Sequence, residues 1–277
     1  MTDTRPTLII GATGKTGRRI ADRLETAGVS VRRGARGSET PFDWEDRATW
    51  APALDGARAA YISYFPDLAF PGAVEAVGAL AETARGVGVE RLVLLSGRGE
   101  HHARMGEEAV LAAGVPTTRL RCAWFAQNFS EGYLRDPILS GVLPMPGGDV
   151  VEPILDVEDI AEVAAKALAY DGTESRFYEL TGPRCMSFAE MAETLTRATG
   201  RPIRHVPITF EDFHEGLAQG AGAYVADVFT AIARETLDGR NAQVSDGVQR
   251  ALGRPATDFA DYAARAARAG AWSPVAA

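Results

Sequence analysis

The sequence predicts an α/β fold: a parallel sheet with helices on both faces, followed by a small, mainly helical C-terminal lobe. Three observations carry this. Strand-length apolar runs alternate with amphipathic helical patterns through the first half of the chain. A glycine-rich turn, GATGKTG, joins the first run directly to the first helical pattern. From Pro183 onward helical spacing takes over.

In order along the chain, TLIIG (Thr7 to Gly11), VSVRR (Val29 to Arg33), AAYIS (Ala59 to Ser63), RLVLLS (Arg91 to Ser96) and TTRLRC (Thr117 to Cys122) are aliphatic or β-branched runs of strand length. Between them, Ile20 and Leu24 share one helical face, and Val74, Val77, Leu80 and Ala81 share another. Parallel strands need such crossover helices, which cover both faces of the sheet. DVEDIAEVAAKALAY follows as a helix, with Asp156 placed to cap it and Glu158 and Asp159 in the first turn, where acids suit the helix dipole. FYELTG (Phe177 to Gly182) adds a late strand. The expected organisation is a first domain over residues 1–130, completed by 150–182, and a lobe made of 131–149 and 183–277. GVLPMPGGD (Gly141 to Asp149) reads as a loop crossing between them. In the lobe, SFAEMAETLTRATG and ADYAARAARAG are helical, and Phe213, Leu217, Tyr224, Val228 and Ile232 keep helical spacing between them. Gly216, Gly220 and Gly222 interrupt that spacing, each at about 1 kcal/mol relative to alanine, so a broken helix is expected there.

Composition narrows the function. A net charge of -8 with no Lys/Arg block argues against a nucleic-acid partner, whose binding rests on neutralising phosphates. Only Lys15 and Lys166 are lysines; arginine supplies the remaining positive charge. Cys122 and Cys185 lie far apart, as reduced thiols without metal spacing, and His205 and His214 add no ligand pattern, so no metal is expected. No apolar run is long enough to cross a bilayer, and MTDTRPT lacks the features of a secretory signal. The expectation is a cytoplasmic monomer or homodimer that meets a small molecule and neither nucleic acid nor membrane.

Gly11, Gly14 and Gly17 follow a buried-strand run and open a helix, the context a phosphate-binding turn requires. Glycines let the backbone turn tightly and approach a pyrophosphate, while the N–H groups of the helix start face its oxygens. Lys15 adds positive charge inside the turn, and Thr13 and Thr16 complete the candidate contacts.

The spacing GxxGxxG, with VRRGARG, FDW, LLSG, RCAWFAQNF and PILDVEDIA in this order, resembles the NmrA-like, atypical short-chain dehydrogenase/reductase family. Within it the likeness is greatest to ergot-alkaloid reductases of the festuclavine dehydrogenase type and their bacterial relatives, down to the ending LDGRNAQVSDGVQRALGRPATDFADYAARAARAGAW. The resemblance implies a Rossmann-type NAD(P)-binding domain with a small helical substrate lobe, and an aspartate, here Asp43, near the adenine. The residues themselves select NADP(H): Arg32, Arg33, Arg36 and Ser38 stand where an acidic residue would hold a ribose 2′-OH, with no carboxylate before Glu39. Ser63, closing the AAYIS run, joins the cofactor set.

Ketone-reducing members of the wider family use a tyrosine with a lysine four residues later. No YxxxK occurs in this chain; the two positions fall near Gly99 and Ala103, although Ser96 matches the family's serine. Hydride can still add to an electron-poor iminium, quinone or enone without a strong acid. Alternatively Glu100, His101 or His102 supplies acid-base chemistry. The aromatic stretches YISYFPD and WFAQNF nominate Tyr64, Trp124, Phe125 and Asn128, with Tyr224 from the lobe, for a flat aromatic substrate beyond the strand ends. Three functions stay open: an NADPH-dependent reductase of a small activated aromatic metabolite, a redox-silent NADP-binding regulator, and a non-redox dehydratase, cyclase or isomerase.

Overall fold

Thr7–Ile10 forms β1, buried along its whole length as the unbroken apolar run requires. The computed structural model describes residues 4–169 and 172–273, so Met1 to Asp3 and Tyr170, the last residue of the expected helix before the late strand, lie outside the described residues. After β1 come α1 (Lys15–Thr26), β2 (Val31–Ala35), β3 (Thr40–Pro41), a 3-10 turn at Arg47–Thr49, α2 (Trp50–Leu54), β4 (Ala59–Ile62), α3 (Ala73–Gly86), β5 (Arg91–Gly97), α4 (His101–Ala112) and β6 (Thr117–Cys122). The chain continues through α5 (Asn128–Glu131), α6 (Arg135–Leu139), β7 (Val142–Met145) and β8 (Val151–Glu152) to α7 (Val157–Ala169) and β9 (Arg176–Leu180). β10 (Met186–Ser187), α8 (Phe188–Thr199), β11 (Arg204–Pro207), α9 (Phe210–Ala221), α10 (Ala223–Thr236), α11 (Gly247–Leu252) and α12 (Phe259–Arg268) complete it.

Seven strands make one sheet in the order β3-β2-β1-β4-β5-β6-β9, a Rossmann-type sheet with parallel registers from β3 through β6. The order reverses between β1 and β4. In open sheets of this kind, ligands bind outside the carboxyl ends of the strands at that reversal.

The chain divides into two units. The first takes residues up to Gly97, His101–Cys122 and Glu158–Glu179; the second takes Arg98–Glu100, Ala123–Val157 and Leu180 onward. Residues 98–100, 123–130, 150–157 and 180–182, expected in the first domain, thus fall in the second unit. The first unit's core joins Leu8, Ile10, Trp50, Ile62, Leu80 and Leu94. The second packs Phe129, Phe188, Met191, Leu195, Phe213, Tyr262 and Trp272. There Trp272 Nε1 donates to the Phe129 carbonyl at 2.8 Å, so the indole is buried with its polar edge satisfied. Capping boxes start α8, from Ser187 and Glu190, and α9, from Thr209 and Asp212, each pair satisfying two backbone donors that the helix leaves open.

Several elements differ from the sequence expectation. β2 begins at Val31, two residues late, and β3 follows it. The expected loop GVLPMPGGD contains β7, paired in parallel with β11 from Val142↔Arg204 to Met145↔Pro207. Four consecutive residues with a proline among them do not announce a strand, and the partner lies about sixty residues on. Gly216 and Gly220 stay inside α9; the break comes only at Gly222, whose φ of +86° suits glycine. Asp156 stands just before α7, and its buried carboxylate receives Gln127 Nε2 at 2.7 Å and the Arg265 guanidinium.

Candidate functional site

The turn after β1 is built from backbone. The Gly11 and Ala12 amides donate to the Gly34 carbonyl at 3.1 and 3.3 Å, tying the turn to β2. Gly11 has a φ of +74°, and a Cβ on Gly17 would sit 2.2 Å from the Gly11 carbonyl oxygen, so only glycine lets α1 start this close to β1. Gly14 is the N-cap of α1 and supplies no side-chain cap, and no acid occupies the first turn. A helix start with no side-chain cap and no acid in its first turn suits an anion. Thr13 and Gly14 are exposed there, and Lys15 is partly exposed. Thr16 is placed otherwise than expected. It is buried, and its hydroxyl receives the Tyr61 phenol at 2.9 Å. Tyr61 itself lies within β4 instead of in the strand-end loop.

At the end of β2 the arginines separate. Arg32 Nη1 donates to the carbonyls of Ala53 and Asp55 at 2.8 and 2.6 Å, closing the C-terminus of α2, which corrects its expected place in the cofactor set. Its Cα pairs with Leu8, in the first half of the strand, whereas the turn follows the strand's end. Arg33 bridges Asp22 and Glu25 of α1, and its guanidinium holds the Glu25 carboxyl below the usual range. Arg36 lies in the turn beyond β2 and is exposed. Ser38 shapes that turn, its Oγ accepting from the Ala35 amide at 3.0 Å and lying 2.6 Å from the Thr40 carbonyl. Asp43 is partly exposed, and its carboxylate receives the Glu45 amide at 3.1 Å. Ser63 adjoins the glycine turn: a Cβ on Gly11 would lie 3.5 Å from its Cβ. Trp44, which sequence reading passed over, donates from Nε1 to the Ser63 carbonyl at 3.3 Å and packs on Tyr64 with ring centroids 4.7 Å apart. The signal was the aromatic in FDW, four positions behind which no periodicity continues.

At the end of β5 the candidate serine is engaged by neighbouring side chains. Ser96 is buried and donates to Glu107 Oε1 at 2.6 Å, and Arg121 holds the same carboxylate through Nε and Nη2 at 2.9 and 2.7 Å. His101 and His102 open α4, both exposed, with ring centroids 5.7 Å apart. Glu100 is buried and belongs to the second unit. In that unit Gly99 has a φ of +81°, and its Cβ would meet Asn241 Nδ2 at 2.7 Å. Near where the tyrosine would fall, a side chain at Gly99 would need a strained backbone and a shift of the Asn241 side chain. Arg98 fixes this segment, donating from Nη1 to the Asn241 carbonyl at 2.7 Å while Asn241 Nδ2 returns to the Arg98 carbonyl at 3.3 Å.

Also in the second unit, half-buried Trp124 donates to Thr236 Oγ1 at 3.1 Å, and Phe125 bridges to Leu155. Asn128 opens α5, half-buried, and Tyr224, near the start of α10, is exposed. Glu152 of β8 is a buried acid that sequence reading did not single out. It is 1% exposed, and neither carboxylate oxygen has a hydrogen-bond partner. Burial pushes its carboxyl up to about 8, against the pull of Arg98 and with the help of Asp238. Among the described residues no group of three or more His, Cys, Asp and Glu is placed to hold a metal, and no helix is long and apolar enough to cross a membrane.

A seven-stranded sheet of this order, with a glycine turn between β1 and α1, defines the Rossmann class. No family model matches the chain. It is 30% identical to the NAD(P)H azoreductase of Xenophilus azovorans, over 95% of this chain and 99% of that one. It is also 30% identical to festuclavine synthase II of Penicillium roqueforti, over 92% of this chain and 96% of that one. Among solved structures, Citrobacter sp. triphenylmethane reductase complexed with NADP(H) shares the fold at a TM-score of 0.74 and 21% identity, covering 95% of this chain and 99% of that one. The chain belongs to the NmrA-like, atypical short-chain dehydrogenase/reductase family.

Proposed function

We propose that the chain is an NADPH-dependent reductase of a small, activated aromatic acceptor (a quinone, an iminium or an enone) in specialised metabolism. One observation carries the reading: the uncapped N-terminus of α1, reached through glycines whose Cβ atoms would crowd the Gly11 carbonyl oxygen, is a cradle for a pyrophosphate. Lys15 neutralises charge there, Arg36 receives the 2′-phosphate, and Asp43, Ser38 and Ser63 border the adenosine half. When bound, the reduced nicotinamide supplies hydride. The candidates for contact with the acceptor are Tyr64 in the first unit and, in the second, Trp124, Phe125, Asn128 and Tyr224. The related azoreductase and triphenylmethane reductase are named for reduction of dyes, which supports an extended conjugated acceptor. With Gly99 at the tyrosine position and Ser96 committed to Glu107, an acceptor that already carries its electrophilicity fits this chain. Positioning then supplies much of the acceleration.

The missing proton relay equally favours a second reading, a redox-silent NADP-binding regulator. Titration with NADPH, followed by its oxidation against a panel of quinones, iminiums and enones, separates the two. Binding with turnover is the expected result. Binding without turnover across the panel supports the regulator, and no binding overturns both. Removal of Glu100, His101 or His102 should cost less than about tenfold. A loss of roughly 100-fold or more confined to one of them would point to acid-base chemistry of the dehydratase, cyclase or isomerase kind.

A further inference from the structure

Tyr61 stands in the middle of the sheet on β4 with no exposed surface, and its hydroxyl donates to Thr16 Oγ1 at 2.9 Å. Thr16 is the second residue of α1 and is buried as well. A phenylalanine would fill the same volume without bringing a hydroxyl that must be satisfied in the core. The hydroxyl pair therefore adds direction where packing alone would add none. It reaches the one turn of α1 that no side chain caps. On the outer side of that turn, Arg19 Nη1 donates to the Lys15 carbonyl at 2.8 Å and is itself anchored by Glu158 Oε1 at 2.7 Å from Nε. The turn is gripped from outside by Arg19 and from inside by Tyr61. Burial also holds the Tyr61 phenol well above the usual tyrosine range, so it stays a donor at any working pH.

We propose that Tyr61 is a positioning residue for the cofactor: through the Thr16 hydroxyl it fixes the first turn of α1 and so aims the backbone N–H groups that receive the pyrophosphate. The proposal rests on the NADPH reading above. Its consequence is that affinity for the pyrophosphate and stability of the fold can be uncoupled. Removing one hydroxyl orphans the other, whereas replacing both by apolar groups of the same shape leaves nothing unsatisfied.

The test compares Tyr61→Phe, Thr16→Val, the double variant and Thr16→Ser by calorimetric titration and thermal unfolding. Two probes are used: NADPH, and adenosine 2′-monophosphate, which has the adenosine and 2′-phosphate but no pyrophosphate. Each single apolar variant should melt earlier, and the double variant should melt close to the parent. NADPH binding should weaken by about fivefold to tenfold in all three, the scale of one hydrogen bond. Adenosine 2′-monophosphate should bind as before, and Thr16→Ser should bind NADPH like the parent. A double variant with parental NADPH affinity would overturn the proposal, as would losses on both probes that track melting temperature. If the double variant fails to fold, the contrast between Thr16→Ser and Thr16→Val decides by the same criterion. A parent that binds no NADPH overturns the NADPH reading first and this proposal with it.

Discussion

The Ser96 hydroxyl, near the end of β5, donates to Glu107 Oε1 of α4 at 2.6 Å, inside a cluster that Arg121 of β6 completes. A hydroxyl so engaged holds a strand end to a helix. Ser96→Ala should leave turnover within about twofold and lower the melting temperature by roughly 2–6 °C, the scale of one lost bond to a charged acceptor. Glu107→Ala should cost more, about 2–4 kcal/mol, because Arg121 and the nearby Arg119 lose their shared counter-charge. Turnover falling steeply in a well-folded Ser96→Ala protein would return the serine to the chemistry.

Cofactor preference should rest on Arg36 alone. Arg36→Ala is expected to weaken NADPH about tenfold and leave NADH unchanged, since NADH lacks the 2′-phosphate that the guanidinium is proposed to receive. Arg32→Ala should lower stability through the lost contacts to Ala53 and Asp55 and leave the NADPH/NADH ratio alone. Paired titrations with the two cofactors measure both; a ratio that moves with Arg32 would reassign the site.

The glycines of the turn should fail in different ways. Gly14 has a φ of -75° and an extended ψ, which valine adopts, and its Cβ would meet the Gly11 carbonyl oxygen at 3.2 Å, so Gly14→Val should fold with a small loss of stability and yet lose NADPH. Gly17→Ala drives a Cβ to within 2.2 Å of the Gly11 carbonyl and should destabilise the fold itself by about 1–3 kcal/mol. Circular-dichroism melts alongside titrations distinguish the two, and normal NADPH binding by Gly14→Val would reduce the turn to a mere connection.

Glu152 sets a pH dependence. Its folded pKa is raised from 4.5 to about 8, so the folded protein holds a proton there that the unfolded chain releases. The contribution is fully present below about pH 4.5 and is lost as pH rises through about 8, where the buried carboxyl ionises, on the order of a few kcal/mol. Glu152→Gln, neutral at every pH, should flatten the fall in melting temperature between about pH 4.5 and 8 and melt later than the parent above that range. Parallel melting curves for parent and variant over that range would show the carboxyl to be ordinary.

Local sequence determined the parts of this protein whose physics is local. The β1 run, the glycine turn and the helix after it are legible because strand burial, a φ only glycine tolerates and amphipathic spacing are all expressed within about twenty neighbouring residues. The resemblance to the family was legible for the same reason, resting on short motifs in a fixed order. The tertiary structure decided everything that depends on which distant residue arrives. Of the three arginines on the VRRGAR stretch, two are taken up by Ala53, Asp55, Asp22 and Glu25, and no pattern within the stretch distinguishes Arg36 from them. The Ser96 hydroxyl is engaged because Glu107, itself held by Arg121, reaches it; Gly99 disfavours a side chain because the Asn241 side chain, far along the chain, lies beside it. Glu152 is an unusual acid because the contacts that bury it supply no hydrogen-bond donor. Charge and desolvation act through space, so the identity and engagement of a functional side chain are fixed only once the chain has brought its partners together.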